Sequence, residues 1–123
     1  RGDALPTTRQ TEYMEILGQA KSRAEACLRP GVSGREIYGA MAGCFAERGV
    51  GRFFTSHAGH GLGLLHPERP YFVPDCDETL AAGDVVTLEP GLYDTRVGHM
   101  RIEDVYLIMP GGPDKITVHR QGF

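Results

Sequence analysis

Three histidines crowd the stretch HAGHGLGLLHPERP, from His57 to Pro70, among closely spaced glycines. The core of it is GHGLG, Gly59 to Gly63. Glycines flanking His60 allow the backbone to approach a ligand or a second strand closely. An imidazole there suits a borderline divalent ion such as Zn, Mn, Co or Fe, or else a structural hydrogen bond. A second candidate is TLEPG, Thr87 to Gly91. Strand alternation would put Val85, Thr87 and Glu89 on one face and Val86 and Leu88 on the other. A carboxylate closing an apolar strand is expensive to bury unless paired or metal-bound, and otherwise marks a solvated strand end. The third is RIEDVYLI, Arg101 to Ile108. Glu103 would share a face with Arg101, Val105 and Leu107, while Asp104 faces the other way with Ile102 and Tyr106. Glu103 then either pairs with Arg101 on a wet sheet face or contributes to a site. Together, one His and two Glu form a hard, oxygen-rich set. Carboxylates can bridge two divalent ions, and a water between them becomes a usable nucleophile near neutral pH. The set has no thiolate, which disfavours a structural Zn site.

Two helices are expected to precede these segments. Thr11 is a plausible N-cap for EYMEILGQAKSRAEACL. Tyr13, Ile16, Leu17, Ala20, Ala24, Cys27 and Leu28 recur at spacings of three and four, so one face is apolar. Pro30 and Gly31 stop that helix. Ser33 can cap a second one, with Ile37, Met41, Cys44 and Phe45 inward and Gly49 as its exit. DVVTLEP and RIEDVYLIMP read as strands, and DKITVH as a weaker third behind a PGGPD turn. Two helices followed by several strands predict an α+β fold with an antiparallel sheet rather than alternating βαβ units.

The totals set outer limits. The chain has 123 residues, enough for one modest domain, with 41% apolar and 24% charged residues. A net charge of −3 gives no electrostatic reason to expect nucleic acid. No apolar run is long enough to span a bilayer, and no secretory signal is evident in the sequence. The three cysteines, Cys27, Cys44 and Cys76, are widely spaced and lack a C-x-x-C pair, so they read as packing residues in a reducing cytoplasm.

GHGLG, TLEPGLY and RIEDVYLI, in that order, resemble the C-terminal half of the pita-bread metallopeptidases. These include methionine aminopeptidase, Xaa-Pro aminopeptidase, prolidase and creatinase. PTTRQTEYMEILGQAKSRAEACLRPGVSGREI and LAAGDVVTLEPGLY resemble the Xaa-Pro branch, and the likeness runs from about Leu5 to about His119. The resemblance implies residues 1–123 as the C-terminal part of the catalytic domain, with two helices packed on the convex side of a curved antiparallel sheet. It implies a site of two Asp, one His and two Glu holding two divalent ions (Mn, Co, Fe or Zn). His60, Glu89 and Glu103 match the His and both Glu ligands, Glu89 also as a possible general base. The two aspartates would come from a hairpin upstream of Arg1. Asp3 does not match their position. Three ligands cannot easily hold two ions, so residues 1–123 alone are expected to be catalytically weak and to hold fewer ions than the full-length protein, or none.

Some positions depart from the family pattern. The substrate-contacting histidine four residues before the metal ligand would fall at Ser56, with His57 one residue late. The histidine of H-E-x-P would fall at Pro67, with His66 displaced by one, while Glu68 and Pro70 match. The resemblance still assigns His57 and His66 to the substrate and to proton transfer. It places Glu68 and Arg69 on the rim and Arg101 in the substrate site. His99 and His119 read as incidental. The implied activity is removal of an N-terminal residue from peptides by an Xaa-Pro peptidase, acting as a homodimer, with no membrane or nucleic-acid partner. Two other readings remain open: a metal-free pita-bread binding module and a creatinase-like hydrolase of a small C–N compound.

Overall fold

The computed structural model describes residues 7–62 and 67–117, with Pro67 and Glu68 described as backbone only. Asp3, His66, His119 and the side chain of Glu68 therefore lie outside the described residues.

Helix α1 spans Thr8–Glu25. Its cap is Thr7, not Thr11 as the sequence suggested. Thr7 and Gln10 form a capping box: Thr7 Oγ1 accepts from the Gln10 amide at 3.0 Å, and Gln10 Oε1 accepts from the Thr7 amide at 2.9 Å. Thr11 is absorbed into the first turn, its hydroxyl donating back to the Thr7 carbonyl. Helix α2 spans Gly34–Glu47, capped by Ser33 with a second box closed by Glu36. The expected apolar faces are the buried ones: Tyr13, Ile16, Leu17, Ala20 and Ala24 on α1, and Ile37, Met41, Cys44 and Phe45 on α2. Gly49 leaves α2 with φ +76°, a left-handed exit that favours glycine.

A short 3₁₀ turn, Gly51–Phe53, leads into the strands. These are β1 (Gly59–Leu62), β2 (Pro67–Tyr71), β3 (Val85–Leu88), β4 (Gly91–Asp94), β5 (Gly98–Arg101), β6 (Asp104–Met109) and β7 (Gly112–Lys115). Among the described residues they form one five-stranded sheet, β2-β1-β3-β6-β7, and a two-stranded hairpin, β4-β5. Every pairing is antiparallel. The α+β expectation of two helices on an antiparallel sheet holds.

Two strand limits differ from the sequence reading. RIEDVYLIMP is not one strand: Arg101 ends β5, and Ile102 and Glu103 link it to β6. The last strand begins at Gly112 rather than Asp114, because Pro110 and Gly111 make a tight turn and Met109 pairs with Gly112.

The two faces of the central sheet differ in character. Val86, Leu88, Asp104, Tyr106 and Ile108 are buried on one face, beneath α1. Even the polar members are tied to that helix: Asp104 accepts from Lys21, and the Tyr106 hydroxyl donates to Glu25 at 2.7 Å. Burial and the neighbouring Glu25 carboxylate push the Tyr106 phenol upward from its ordinary value. Core residues of both helices and the sheet make one continuous apolar cluster. The β4-β5 hairpin is fastened to α1 by Tyr13, whose hydroxyl donates to the buried Asp94 at 2.8 Å. Cys27, Cys44 and Cys76 are free thiols. No helix among the described residues is long and apolar enough to cross a membrane.

Candidate metal centre

The other face of the sheet gathers the residues singled out from the sequence. Antiparallel register puts His60 opposite Thr87 and Thr87 opposite Val105. Directly opposed residues point to the same face. Glu89, two residues beyond Thr87, continues on that face, and its amide donates to the Ala58 carbonyl at 2.7 Å, extending the β1–β3 ladder. Leu88 pairs with Asp104, and the Ile102 amide donates to the Pro90 carbonyl at 3.1 Å. The same register therefore sets Glu103 directly across from Glu89. Three neighbouring strand paths bring His60, Glu89 and Glu103 to one side.

Gly59 makes the approach possible. A methyl group on its Cα would lie 2.0 Å from the Thr87 carbonyl oxygen and 3.1 Å from the Phe72 ring. Only a hydrogen fits there, which is the physical reason the histidine follows a glycine.

His60 Nε2 lies 2.9 Å from Glu89 Oε2, and both side chains are nearly buried, 13% and 12% exposed. His60 Nδ1 lies 2.6 Å from the Gly61 carbonyl oxygen. A ring that donates from Nδ1 presents a lone pair at Nε2 when neutral. That lone pair faces an anionic oxygen, and two acceptors at this distance need a proton or a cation between them. Thr87 completes the pair: its hydroxyl donates to Glu89 Oε2 at 2.7 Å and accepts from the His60 amide at 3.2 Å. Arg101 lies 3.7 Å from Glu89 Oε1 and 3.9 Å from Glu103 Oε1, so a single guanidinium stands beside both acids. Opposed carboxylates on adjacent strands repel unless such a charge lies near. The donor set fits a divalent cation in its chemistry. It is not a preformed cage: among the described residues no group of three or more His, Cys, Asp or Glu side chains is gathered closely enough to hold a metal ion.

His57 borders the pair, its ring centroid 5.8 Å from that of His60 and 6.4 Å from that of Tyr71. Burial holds the His57 imidazole below its ordinary value; the charge of Glu89 opposes this, and His60 adds to it. Arg69 is engaged by two 2.9 Å bonds to Glu78, and no contact joins it to His60 or Glu89 among the described interactions. His99 lies against Tyr93 across the β4-β5 hairpin, the two rings tilted by 46° with centroids 5.1 Å apart.

Thr87 and Tyr71 escaped the sequence reading. Thr87 had a signal, since alternation already placed it on the face of Glu89. Tyr71 had none, because its place opposite His60 depends on the β1–β2 pairing and the irregularity between His60 and Gly61.

The structure is an antiparallel sheet backed by two helices, with His60, Glu89 and Glu103 on its open face. The chain belongs to metallopeptidase family M24, whose model matches residues 2–110. It is 38% identical over 113 residues to the Xaa-Pro dipeptidase of Pyrococcus horikoshii, covering 91% of this chain and 32% of that protein. The prolidase crystal structure from the same organism superposes with a TM-score of 0.90 at 33% identity, over 96% of this chain and 34% of that one. The X-Pro aminopeptidase of Thermotoga maritima gives a TM-score of 0.91 at 28% identity, over 97% of this chain and 34% of that one. The fold is thus the C-terminal half of the pita-bread architecture, and the chain spans about a third of the length of these relatives.

Proposed function

We propose that these residues form the C-terminal part of the catalytic domain of an Xaa-Pro peptidase, and that His60, Glu89 and Glu103 are its metal ligands. The observation that carries this is the placement of Glu103 across from Glu89, with His60 Nε2 2.9 Å from the Glu89 carboxylate. Relatives named Xaa-Pro dipeptidase support the substrate class. Two divalent ions, when bound, would make water a nucleophile near neutral pH and polarise the carbonyl of the first peptide bond.

The chain's own groups supply the rest. Gly61 fixes the His60 ring through Nδ1 and leaves Nε2 to ligate. Thr87 holds one Glu89 oxygen by its hydroxyl, so the carboxylate keeps a single orientation. Glu89 can then take a proton from the attacking water at a carboxylate oxygen. His57, whose charged form burial disfavours, can donate a hydrogen bond to a substrate carbonyl or to the developing oxyanion. Its ring and that of Tyr71 form an apolar wall for a substrate side chain. Arg101 balances the two glutamates and is half exposed, free to meet a substrate carboxylate. His66, Glu68 and Arg69 complete the proposed substrate rim. The remaining ligands, the homodimer and a cytoplasmic setting belong to the same proposal.

The test is elemental analysis of the protein as naturally encoded, wild type and Glu103→Gln, after loading with Mn²⁺ and desalting. Wild type is expected to retain metal and Glu103→Gln to lose it, because a neutral amide would hold a divalent cation far more weakly than a carboxylate. Unchanged metal content in the variant would refute the ligand assignment. Hydrolysis of Xaa-Pro dipeptides, against small guanidino or amide compounds, then tests the substrate class.

A further inference from the structure

Behind the metal-facing side lies a buried ion pair that the proposed chemistry does not use. Asp104 opens β6, and its side chain is 1% exposed. Its Oδ2 accepts from the ammonium of Lys21 on α1, itself 5% exposed. Its Oδ1 accepts from the Thr117 hydroxyl at 2.9 Å, and the Thr117 hydroxyl oxygen in turn accepts from the Val105 amide at 2.8 Å. Lys115 Nζ stands 3.6 Å from Oδ2. Charges this deep occur almost only when paired. Replacing a buried ion pair by well-packed apolar residues is often neutral or stabilising, so such a pair is weak evidence of a stability role.

What the pair adds is geometry. Asp104 is the residue after Glu103, and consecutive residues of an extended chain point to opposite faces. Glu103 is weakly held by its own contacts: its side chain is 39% exposed, and its carboxylate lies 3.9 Å from Arg101. Its backbone, in contrast, is pinned on both sides. Before it, the Ile102 amide is bonded to Pro90; after it, Asp104 pairs with Leu88 and is gripped by α1 and Thr117. We infer that Lys21, Asp104 and Thr117 form a clamp that positions Glu103 toward Glu89 from the opposite face of the sheet. They are positioning residues and touch no substrate. The inference rests on Glu103 being a metal ligand, as proposed above.

The test replaces both charges with apolar groups, Lys21→Met with Asp104→Leu, so that no buried charge is left unpaired. Thr117→Val is the milder second variant. In the protein as naturally encoded, three quantities are measured: the urea midpoint, the Co²⁺ affinity by competition with a chelator, and the visible absorption of the Co²⁺-loaded form. The clamp predicts a double variant with a near-native midpoint, a Co²⁺ affinity down at least about tenfold, and an altered visible spectrum; groups behind metal ligands typically matter by about 10–100-fold. Thr117→Val should show a smaller loss and the same spectral change. If the double variant does not fold, Thr117→Val decides. Native affinity and spectrum in the folded double variant, or in Thr117→Val when that alone folds, overturn the clamp. If Glu103→Gln loses metal while these variants keep it, only the clamp fails; if wild type retains no metal, the ligand assignment fails and the clamp with it.

Discussion

Gly59→Ala tests whether the His60–Glu89 pair depends on the close contact of β1 with β3. The added methyl would meet the Thr87 carbonyl oxygen at 2.0 Å, where ordinary contact begins near 3.4 Å. The neighbour is backbone, so it cannot rotate away; the strands must separate by about 1.4 Å, the difference between those two distances. A shift of that size lengthens the Glu89 amide to Ala58 carbonyl bond well beyond 2.7 Å and breaks it. It also opens the 2.9 Å His60–Glu89 contact. One or two lost hydrogen bonds at about 1 kcal/mol each, added to about 1–3 kcal/mol of overpacking, predict a loss of about 2–5 kcal/mol. A misplacement of about 1 Å in a catalytic group costs about 100-fold in rate, so metal retention and any activity should fall further than stability alone explains. Urea unfolding and Mn²⁺ retention check this, with Gly111→Ala as the control. Gly111 has no neighbour within 4 Å of the position its Cβ would take, and its substitution should stay within about 0.5 kcal/mol of wild type. Equal midpoints and equal metal retention for the two alanine variants would refute the close-contact argument.

Two further outcomes are expected. Hydrogen bonds from Arg96 hold the Asp94 carboxyl down to about 2 against burial, helped by the Tyr13 hydroxyl. Because the folded-state value lies below the ordinary 3.8, this contribution is fully present above about pH 4 and is lost as pH falls through about 2. The urea-midpoint gap between wild type and Asp94→Asn should therefore be constant above pH 5 and close between pH 4 and 2; a gap that does not change over that window would contradict the assignment. Metal that binds only the folded state stabilises it by mass action, by about 2.7 kcal/mol at a free concentration 100 times Kd. Mn²⁺ should accordingly raise the melting temperature of wild type, EDTA should reverse the rise, and Glu103→Gln should show little of it; an equal rise in Glu103→Gln would count against the ligand set.

Local patterns were legible in the sequence where the governing interactions are local. Apolar spacing identified the buried faces of both helices, and Ser33 was read correctly as a cap. Thr7 was missed because the competing candidate, Thr11, stood closer to the apolar run, whereas the reciprocal bonds of Thr7 with Gln10 decide the start. Lys21 is the instructive failure. It lies four residues after Leu17, on the apolar stripe, yet a lysine does not read as a core residue until its partner is known. That partner, Asp104, is 83 residues away. The site behaves the same way: GHG, LEPG and RIED were visible as segments, but the opposition of Glu89 and Glu103 is a matter of strand register, which no single segment carries.

Register also explains how one short acidic dipeptide serves two ends. Glu103 and Asp104 are adjacent and chemically alike, but the extended chain sends them to opposite faces of the sheet. Asp104 goes beneath α1 and meets Lys21; Glu103 goes to the open face and meets Arg101. Thr87 and Leu88 divide the same way, one bonded to Glu89 and the other in the core. A one-residue slip of β6 against β3 would exchange these roles, burying Glu103 against the helix and exposing Asp104. The slip would give Lys21 and Thr117 a carboxylate one methylene longer in place of Asp104, so their bonds to Asp104 would not be reproduced in the same geometry. The residues that keep the fold in register are thereby the ones that keep the proposed ligands on the correct face.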